Sequence, residues 1–313
     1  MKPLLAFGEA LIDLLQDPDH PGLYRRNAGG APANVAVGFA RLGGAAAFMG
    51  MLGRDAFGDV IEAELSGHGV ATGYAPRTAA APTALAVVSL DPHGERSFGF
   101  YRPPAADLLM TPELVDAAAF SARPYFHFGS NSMTHQPCAA ATLHALALAE
   151  AHGCLVSFDP NWRAALWPGG ADARAAVLPL LAHAHVLKFS AAEWEWLGGD
   201  ALAPACFAGA TELIAITDGA QPVRTLTRRG PAWHPVAPCR VVDSTAAGDA
   251  FVAGLLWRFA ADNVEPQDAG LVLADAGWLA RQVNFASRCG ALACASYGAF
   301  AAMPTLEQVD TRA

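Results

Sequence analysis

Hydrophobic positions along the chain fall into a repeating two-part pattern. Short unbroken apolar runs bounded by turn residues alternate with longer segments in which apolar residues recur at helical spacing. The first pair is Leu4–Gly8 with Ala31–Leu42, followed by Ala45–Gly50 with Phe57–His68 and Tyr125–Phe128 with Pro137–His152. Leu155–Phe158 with Ala171–Ala184, Val186–Phe189 with Ala191–Leu197, and the run Leu213–Thr217 continue it. This β-α rhythm predicts an α/β fold: a parallel sheet covered by helices on both faces, with ligands bound beyond the carboxyl ends of the strands. Asp159, Ser190 and Asp218 stand at such ends.

Two stretches break the rhythm. Residues 11–28 and 76–104 read as extended, the second with a hairpin turn at Asp91-Pro92-His93-Gly94. Together they predict a small antiparallel sheet projecting from the core as a lid. The last third carries Ala247–Phe259 and Asp268–Arg288 as helices. No linker rich in Ser, Gly or Pro divides the chain and no repeat appears, so residues 1–313 are expected to form one unit with the lid inside it.

Composition narrows the function. With 20 basic and 29 acidic residues the formal charge is −9, a field that repels a phosphate backbone and makes nucleic acid an unlikely class of partner. Glu9 and Asp13 interrupt the apolar start, and no window offers the 18 or so apolar residues of a membrane span, so neither a signal peptide nor a membrane partner is expected. The six scattered cysteines show no zinc or disulfide spacing and suit a reducing cytoplasmic location. Lys2 and Lys188 are the only lysines and neither follows a G-x-x-x-x-G loop, so a P-loop ATPase is disfavoured. A dinucleotide fingerprint, an H-E-x-x-H zinc motif and a G-x-S-x-G elbow are likewise missing.

The strongest chemical signal is Val241-Val242-Asp243-Ser244-Thr245-Ala246-Ala247-Gly248-Asp249-Ala250-Phe251, an apolar strand end running through small residues into a helix. Small side chains let a ligand approach the backbone, and the unpaired N–H groups of a helix start favour an anion. Asp249 in the first turn is ambiguous alone, because a carboxylate there also suits the helix dipole. A second such start, Asn27-Ala28-Gly29-Gly30-Ala31-Pro32-Ala33-Asn34, again bares backbone and adds an amide that can donate and accept.

These residues carry a resemblance. GGAPANVAVGFARLGG at 29–44, GMLGRDAFGDVI at 50–61 and DSTAAGDAF at 243–251 closely resemble the PfkB, or ribokinase-like, family of carbohydrate kinases, over nearly the whole chain. Within it, PTALAVVSLDPHGERSFGFYRPPAADLL at 82–109 and FDPNWRAALWP at 158–168 are most similar to fructokinases, with 2-keto-3-deoxygluconate kinases next and nucleoside or aminoimidazole riboside kinases third. The resemblance implies a ribokinase-like three-layer fold with a mostly parallel sheet and a β-sheet lid, and phosphoryl transfer from ATP with Mg²⁺ to a sugar hydroxyl. That chemistry asks for positioning, charge stabilisation and a base.

By the same resemblance Asp249 is the base, and the amides of Ala246, Ala247, Gly248 and Asp249 form the anion hole. Many relatives have glycine where this chain has Ala246, a change tolerable if φ there is negative. Asp13, Gly29, Gly30 and Asn34 match sugar-hydroxyl positions, and Arg102 and Arg163 match arginines facing the sugar. Lys188, Ser190 and Glu193 fall where the family has N-x-x-E, with serine replacing asparagine, so Glu193 is the Mg²⁺ residue, acting through water. Thr217, Asp218 and Gly219 match the nucleotide-phosphate loop and Asn284 the adenine side. A monovalent cation such as K⁺ would sit against Asp243, Thr245, Ala293 and Gly298, and whether two lids pair into a homodimer stays open. A catalytically silent sugar binder on the same fold is the alternative of a different class.

Overall fold

In the computed structural model, the residues described are 1–311 except 18, 19, 21, 91–95, 103, 123 and 168–171. The strands, in chain order, are β1 (Leu4–Phe7), β2 (Leu11–Gln16), β3 (Tyr24–Gly29), β4 (Ala46–Met49), β5 (Leu52–Gly53), β6 (Val70–Ala71) and β7 (Arg77–Thr78). They continue as β8 (Leu85–Leu90), β9 (Arg96–Tyr101), β10 (Tyr125–Gly129), β11 (Leu155–Asp159), β12 (Val186–Ser190), β13 (Leu213–Asp218), β14 (Gln221–Thr227) and β15 (Gly230–His234). The helices are α1 (Ala31–Arg41), α2 (Ala56–Gly67), α3 (Cys138–Ala151), α4 (Ala173–Leu181) and α5 (Ala191–Leu197). After them come α6 (Ala203–Ala208), α7 (Ala247–Ala261), α8 (Ala269–Val272), α9 (Ala276–Ala293) and α10 (Leu306–Asp310).

The fold is α/β. Nine strands form the central sheet in the order β15-β14-β13-β12-β11-β10-β1-β4-β6, parallel from β13 to β6. The antiparallel strands β14 and β15 extend one edge and were not foreseen from the sequence. Alternation along the strands divides the core. Leu4 and Ala6 of β1 join α1, α7 and α9 on one face, whereas Leu5 and Phe7 join α3, α4 and α5 on the other. Among the described residues no helix is long and apolar enough to cross a membrane.

Helix α7, which carries the strongest sequence signal, is buried over almost its whole length because it lies between α1 and α9. Two glycines allow that approach. A Cβ on Gly38 of α1 would stand 2.7 Å from the Ala253 Cβ, and one on Gly254 would stand 2.7 Å from the Cys289 sulfur.

The expected lid exists, with two corrections. Its four strands run β3-β2-β8-β9, with β2–β3 and β8–β9 antiparallel, but β2 pairs with β8 in parallel. Each pair is an out-and-back excursion from the core, and both outgoing strands leave in the same direction; side-chain alternation carries no sign of strand direction. Arg77–Thr78, placed in the lid by the sequence, instead pairs with Leu52–Gly53. The turn expected at 91–94 lies outside the described residues. Also corrected is the long helix expected at 268–288, which is two helices: α8 ends at Val272 and Asp275 caps α9 anew by accepting from Gly277 and Trp278 N–H.

Candidate active site

The chain leaves β15 and reaches α7 through a segment fastened by Asp243. Its Oδ1 accepts from the backbone N and Oγ1 of Thr245 at 2.9 and 2.6 Å, and its Oδ2 accepts from Gly298 N at 3.3 Å. The carbonyl of Cys294 accepts the amides of Val242 and Asp243. Asp243, Thr245 and Gly298 thus meet, with Ala293 one residue from the Cys294 carbonyl, where oxygen ligands could hold a hard cation.

Ala246 then turns the chain with φ 60° and ψ 11°. The negative φ expected for a methyl-bearing residue here is not found: the angle is left-handed, which costs an L-residue about 1 kcal/mol or more. The strain sets the start of α7, a helix with no side-chain cap. The amide of Ala247 is engaged with the Ser244 carbonyl at 3.3 Å, whereas those of Ala246, Gly248 and Asp249 take no acceptor among the described residues. Three of the four expected amides are therefore free for an anion, at the positive end of a 15-residue helix.

Asp249 is buried beside them. Asn34 Nδ2 donates to its Oδ2 at 2.7 Å and Asn161 Nδ2 donates to its Oδ1 at 3.2 Å. Burial drives its pKa up to about 6, with Asp159 adding to the rise, while the Asn34 amide, Lys188 and Arg163 oppose it. A carboxylate tuned toward neutrality is suited to accept a proton near physiological pH.

Lys188 lies buried against this helix start. Its Nζ donates to Asp159 Oδ2 at 2.9 Å, and a Cβ on Gly248 would stand 2.8 Å from that ammonium. Burial disfavours the charge on Lys188, but Asp159 and Glu193 outweigh it and raise the pKa. A permanently charged lysine therefore faces the free amides, without a Walker loop. Gly248 is helical rather than left-handed; what requires glycine is the space taken by the ammonium.

Ser190 and Glu193 form a capping box at the start of α5. Glu193 Oε2 accepts from Ser190 N and Oγ at 2.7 and 2.8 Å, and its other oxygen accepts from Trp162 N at 2.7 Å.

On the sugar side, Asp13 of β2 faces the cleft. Burial, then the charges of Asp243 and Asp249, push its pKa up to about 7, with Arg163 opposing the rise. Gly29 supports Asp13 closely, since a Cβ there would meet Asp13 Oδ2 at 2.7 Å. Arg163 is exposed, with Nη1 donating to the Trp162 carbonyl at 3.1 Å. Arg102 does not face the cleft in this structure. Its side chain is 1% exposed; Nε and Nη2 lie 2.7 and 2.6 Å from Asp107 Oδ2, and Nη2 also donates to the Asn131 carbonyl. Glu9, buried and accepting from Asn131 Nδ2 at 2.9 Å, adds a second carboxylate to that cluster. The expected ligand contact becomes a buried ion pair, because Asp107, five residues on, folds back onto the guanidinium.

On the nucleotide side, Thr217 pairs with Ser190 across β13 and β12, and its Oγ1 donates to the Phe189 carbonyl at 3.3 Å. Exposed Asp218 closes β13, Gly219 at φ 53° follows it in an exposed turn, and Asn284 is exposed on α9. Asp159, the last residue of β11, and Asn161, in the loop after it, were not assigned a role from sequence. Their signal was the strand-end position of Asp159; nothing in the sequence points Asn161 at a residue 88 positions away.

Comparison with known proteins now adds to the geometry. The family model described as pfkB family carbohydrate kinase matches residues 1–306. Fructokinase-1 of Zea mays is 37% identical, covering 98% of this chain and 96% of that protein. Among solved structures, a fructokinase from Xylella fastidiosa with bound ATP is 44% identical, with a TM-score of 0.95 over 99% of this chain and 97% of that one. A Vibrio cholerae fructokinase in a form with fructose, ADP and calcium ion is 31% identical, with a TM-score of 0.87 over 99% and 98%.

Proposed function

The chain belongs to the pfkB family of carbohydrate kinases, and from that premise we propose that it transfers the γ-phosphoryl group of ATP to the 6-hydroxyl of D-fructose. The observation that carries this reading is the end-to-end similarity, at 44% identity, to a fructokinase with bound ATP. Asp249 takes the hydroxyl proton as the phosphoryl group moves. The amides of Gly248 and Asp249 and the Lys188 ammonium balance the charge on that group. Asp13 accepts from sugar hydroxyls, with Gly29, Gly30 and Asn34 shaping the floor and Arg163 at the rim. Thr217, Asp218 and Gly219 take the nucleotide phosphates and Asn284 the base.

Mg²⁺ suits this site because it is held mainly by phosphates and water with one or two carboxylates, so no cluster of three acidic or imidazole ligands is required. None occurs among the described residues. Glu193 would reach it through water, although three hydrogen bonds already engage its oxygens. The ion would neutralise phosphate charge. The oxygens around Asp243 and Thr245 suit K⁺ as a fixed positive charge behind the anion hole. Six free cysteines fit a reducing cytoplasm. Tyr24 and Tyr101, 44% and 66% exposed on the outer strands β3 and β9, support pairing of two lids into a homodimer, which sedimentation would test.

Charge favours the neutral sugar over a keto-acid. Asp13 and Asp249 bring carboxylates to the cleft, and Asp107 already neutralises Arg102. A coupled ADP-release assay over fructose, 2-keto-3-deoxygluconate, ribose and aminoimidazole riboside tests the proposal. Fructose should give the highest kcat/KM, nearly flat with ionic strength, since a neutral substrate feels little screening. Faster turnover of the keto-acid, falling steeply with salt, would replace fructose by the acid.

A further inference from the structure

Asp249 is held at both carboxylate oxygens, and the two holders are built differently. Asn34 comes from regular helix α1, whereas Asn161 comes from the loop after β11 with its backbone left-handed, at φ 44°. Asparagine is among the few residues that tolerate this conformation, which persists only where the surroundings enforce it.

Here two consecutive backbone amides are fastened to carboxylates on different elements, one at the end of β11 and one in the first turn of α5. Asn161 N donates to Asp159 Oδ1 at 3.1 Å, and Trp162 N donates to Glu193 Oε1 at 2.7 Å. Glu193 is itself fixed by its capping box, and the Trp162 ring stacks on Trp196 at 4.1 Å and 11°. The outcome of this fastening is one side-chain amide aimed at Asp249 Oδ1.

We propose that Asn161 is a positioning residue for Asp249, set in place by Asp159 and, through the Trp162 amide, by Glu193. The proposal rests on the reading of Asp249 as the base. With Asn34 on one oxygen and Asn161 on the other, the carboxylate cannot rotate, and its free lone pairs stay directed at one place. Both amides donate, so both also favour the charged, proton-accepting form. The other charged groups felt by Asp249 are Asp159 on β11, Lys188 on β12, Arg163 after β11 and Asp13 on β2.

Asn161→Gly keeps the left-handed backbone and deletes only the amide. Asn161→Asp keeps the shape but turns an acceptor, and a negative charge, toward Asp249. In the full chain, Asn161→Gly should lower kcat about tenfold with both KM values within about twofold. The acid limb of kcat/KM for fructose should move to higher pH, because losing a donor raises the pKa of the base. Asn161→Asp should do both more strongly, and if one variant does not fold, the other decides. A folded variant with normal kcat and an unmoved limb, or one whose whole defect lies in KM, would overturn the positioning role. Asp249→Asn run alongside separates the premises: if it stays active the base is misassigned, and if it is dead while the Asn161 variants are normal only the positioning role fails.

Discussion

Helix α1 starts at Gly29-Gly30-Ala31 and helix α7 at Ala246-Ala247-Gly248, two runs of small residues that bring bare backbone to the site on adjacent, packed helices. At α1 the glycine is demanded twice. Gly30 has φ 113°, and a Cβ there would meet the Glu9 carbonyl oxygen at 2.5 Å and the Ala10 Cα at 2.9 Å, both backbone atoms that cannot swing away. At α7 the left-handed turn is made by Ala246, which is not glycine, while Gly248 is helical and small because Lys188 occupies the space beside it. One start is small for the sake of the chain's path, the other to admit a charge. Substitutions at the two ends should therefore fail in different ways.

The largest effect is expected at α7, where Asp249→Asn keeps the shape and removes the proton acceptor. Steady-state kinetics should show kcat down about 10²- to 10⁴-fold with sugar binding by calorimetry nearly intact. A rate within tenfold of the parent would take Asp249 out of the mechanism. At α1, Gly30→Ala should damage the fold rather than the chemistry. Backbone strain and overpacking together give a loss of roughly 2 to 5 kcal/mol, read by denaturant unfolding. Normal stability would mean that the loop relaxes and that the two helix starts do not differ in what their glycines do.

Gly248→Ala sharpens the contrast, because its new methyl meets only the far end of a long side chain. Stability should change by less than about 1 kcal/mol, since alanine suits a helix better than glycine. Turnover should drop by about tenfold as the ammonium is displaced. Unchanged kinetics would detach Lys188 from the transferred phosphate. The pH profile gives a comparable effect without mutation. Asp249 has its pKa raised to about 6, so the base is competent above that value and is lost by protonation as the pH falls through it. The kcat/KM for sugar should fall roughly tenfold per unit on the acid side, and a profile flat down to pH 5 would exclude a base of that pKa. The smallest effect belongs to Ala246→Gly. Relief of the left-handed φ should stabilise by up to about 1 kcal/mol, partly offset by glycine's greater chain entropy, and thermal unfolding would register it.

Much of this was legible beforehand, and unevenly. Asp249, Asn34 and the glycines stood out because each lies at or near a helix start, a position that local pattern reveals, whereas Lys188, in the middle of β12, was singled out only by the family resemblance. The β-α rhythm located six strands and five helices for the same reason: burial writes its period into the sequence. Arg102 was misjudged because its partner Asp107 lies in a turn that exists only once β9 has left the lid. Asn161 was passed over because its meaning is a contact with Asp249 across 88 residues.

The sequence by itself determined the alternation of strands and helices, the two small-residue helix starts and the excess of acidic over basic charge, since each is set by nearest neighbours along the chain or by a sum over it. Only the tertiary structure decided that β2 meets β8 in parallel, that Ala246 is left-handed, that Arg102 is neutralised before any substrate arrives, and that Asp249 has an amide on each oxygen. Those are outcomes of packing between segments distant in sequence, where strand direction, desolvation and the distance between charges come into being with the fold.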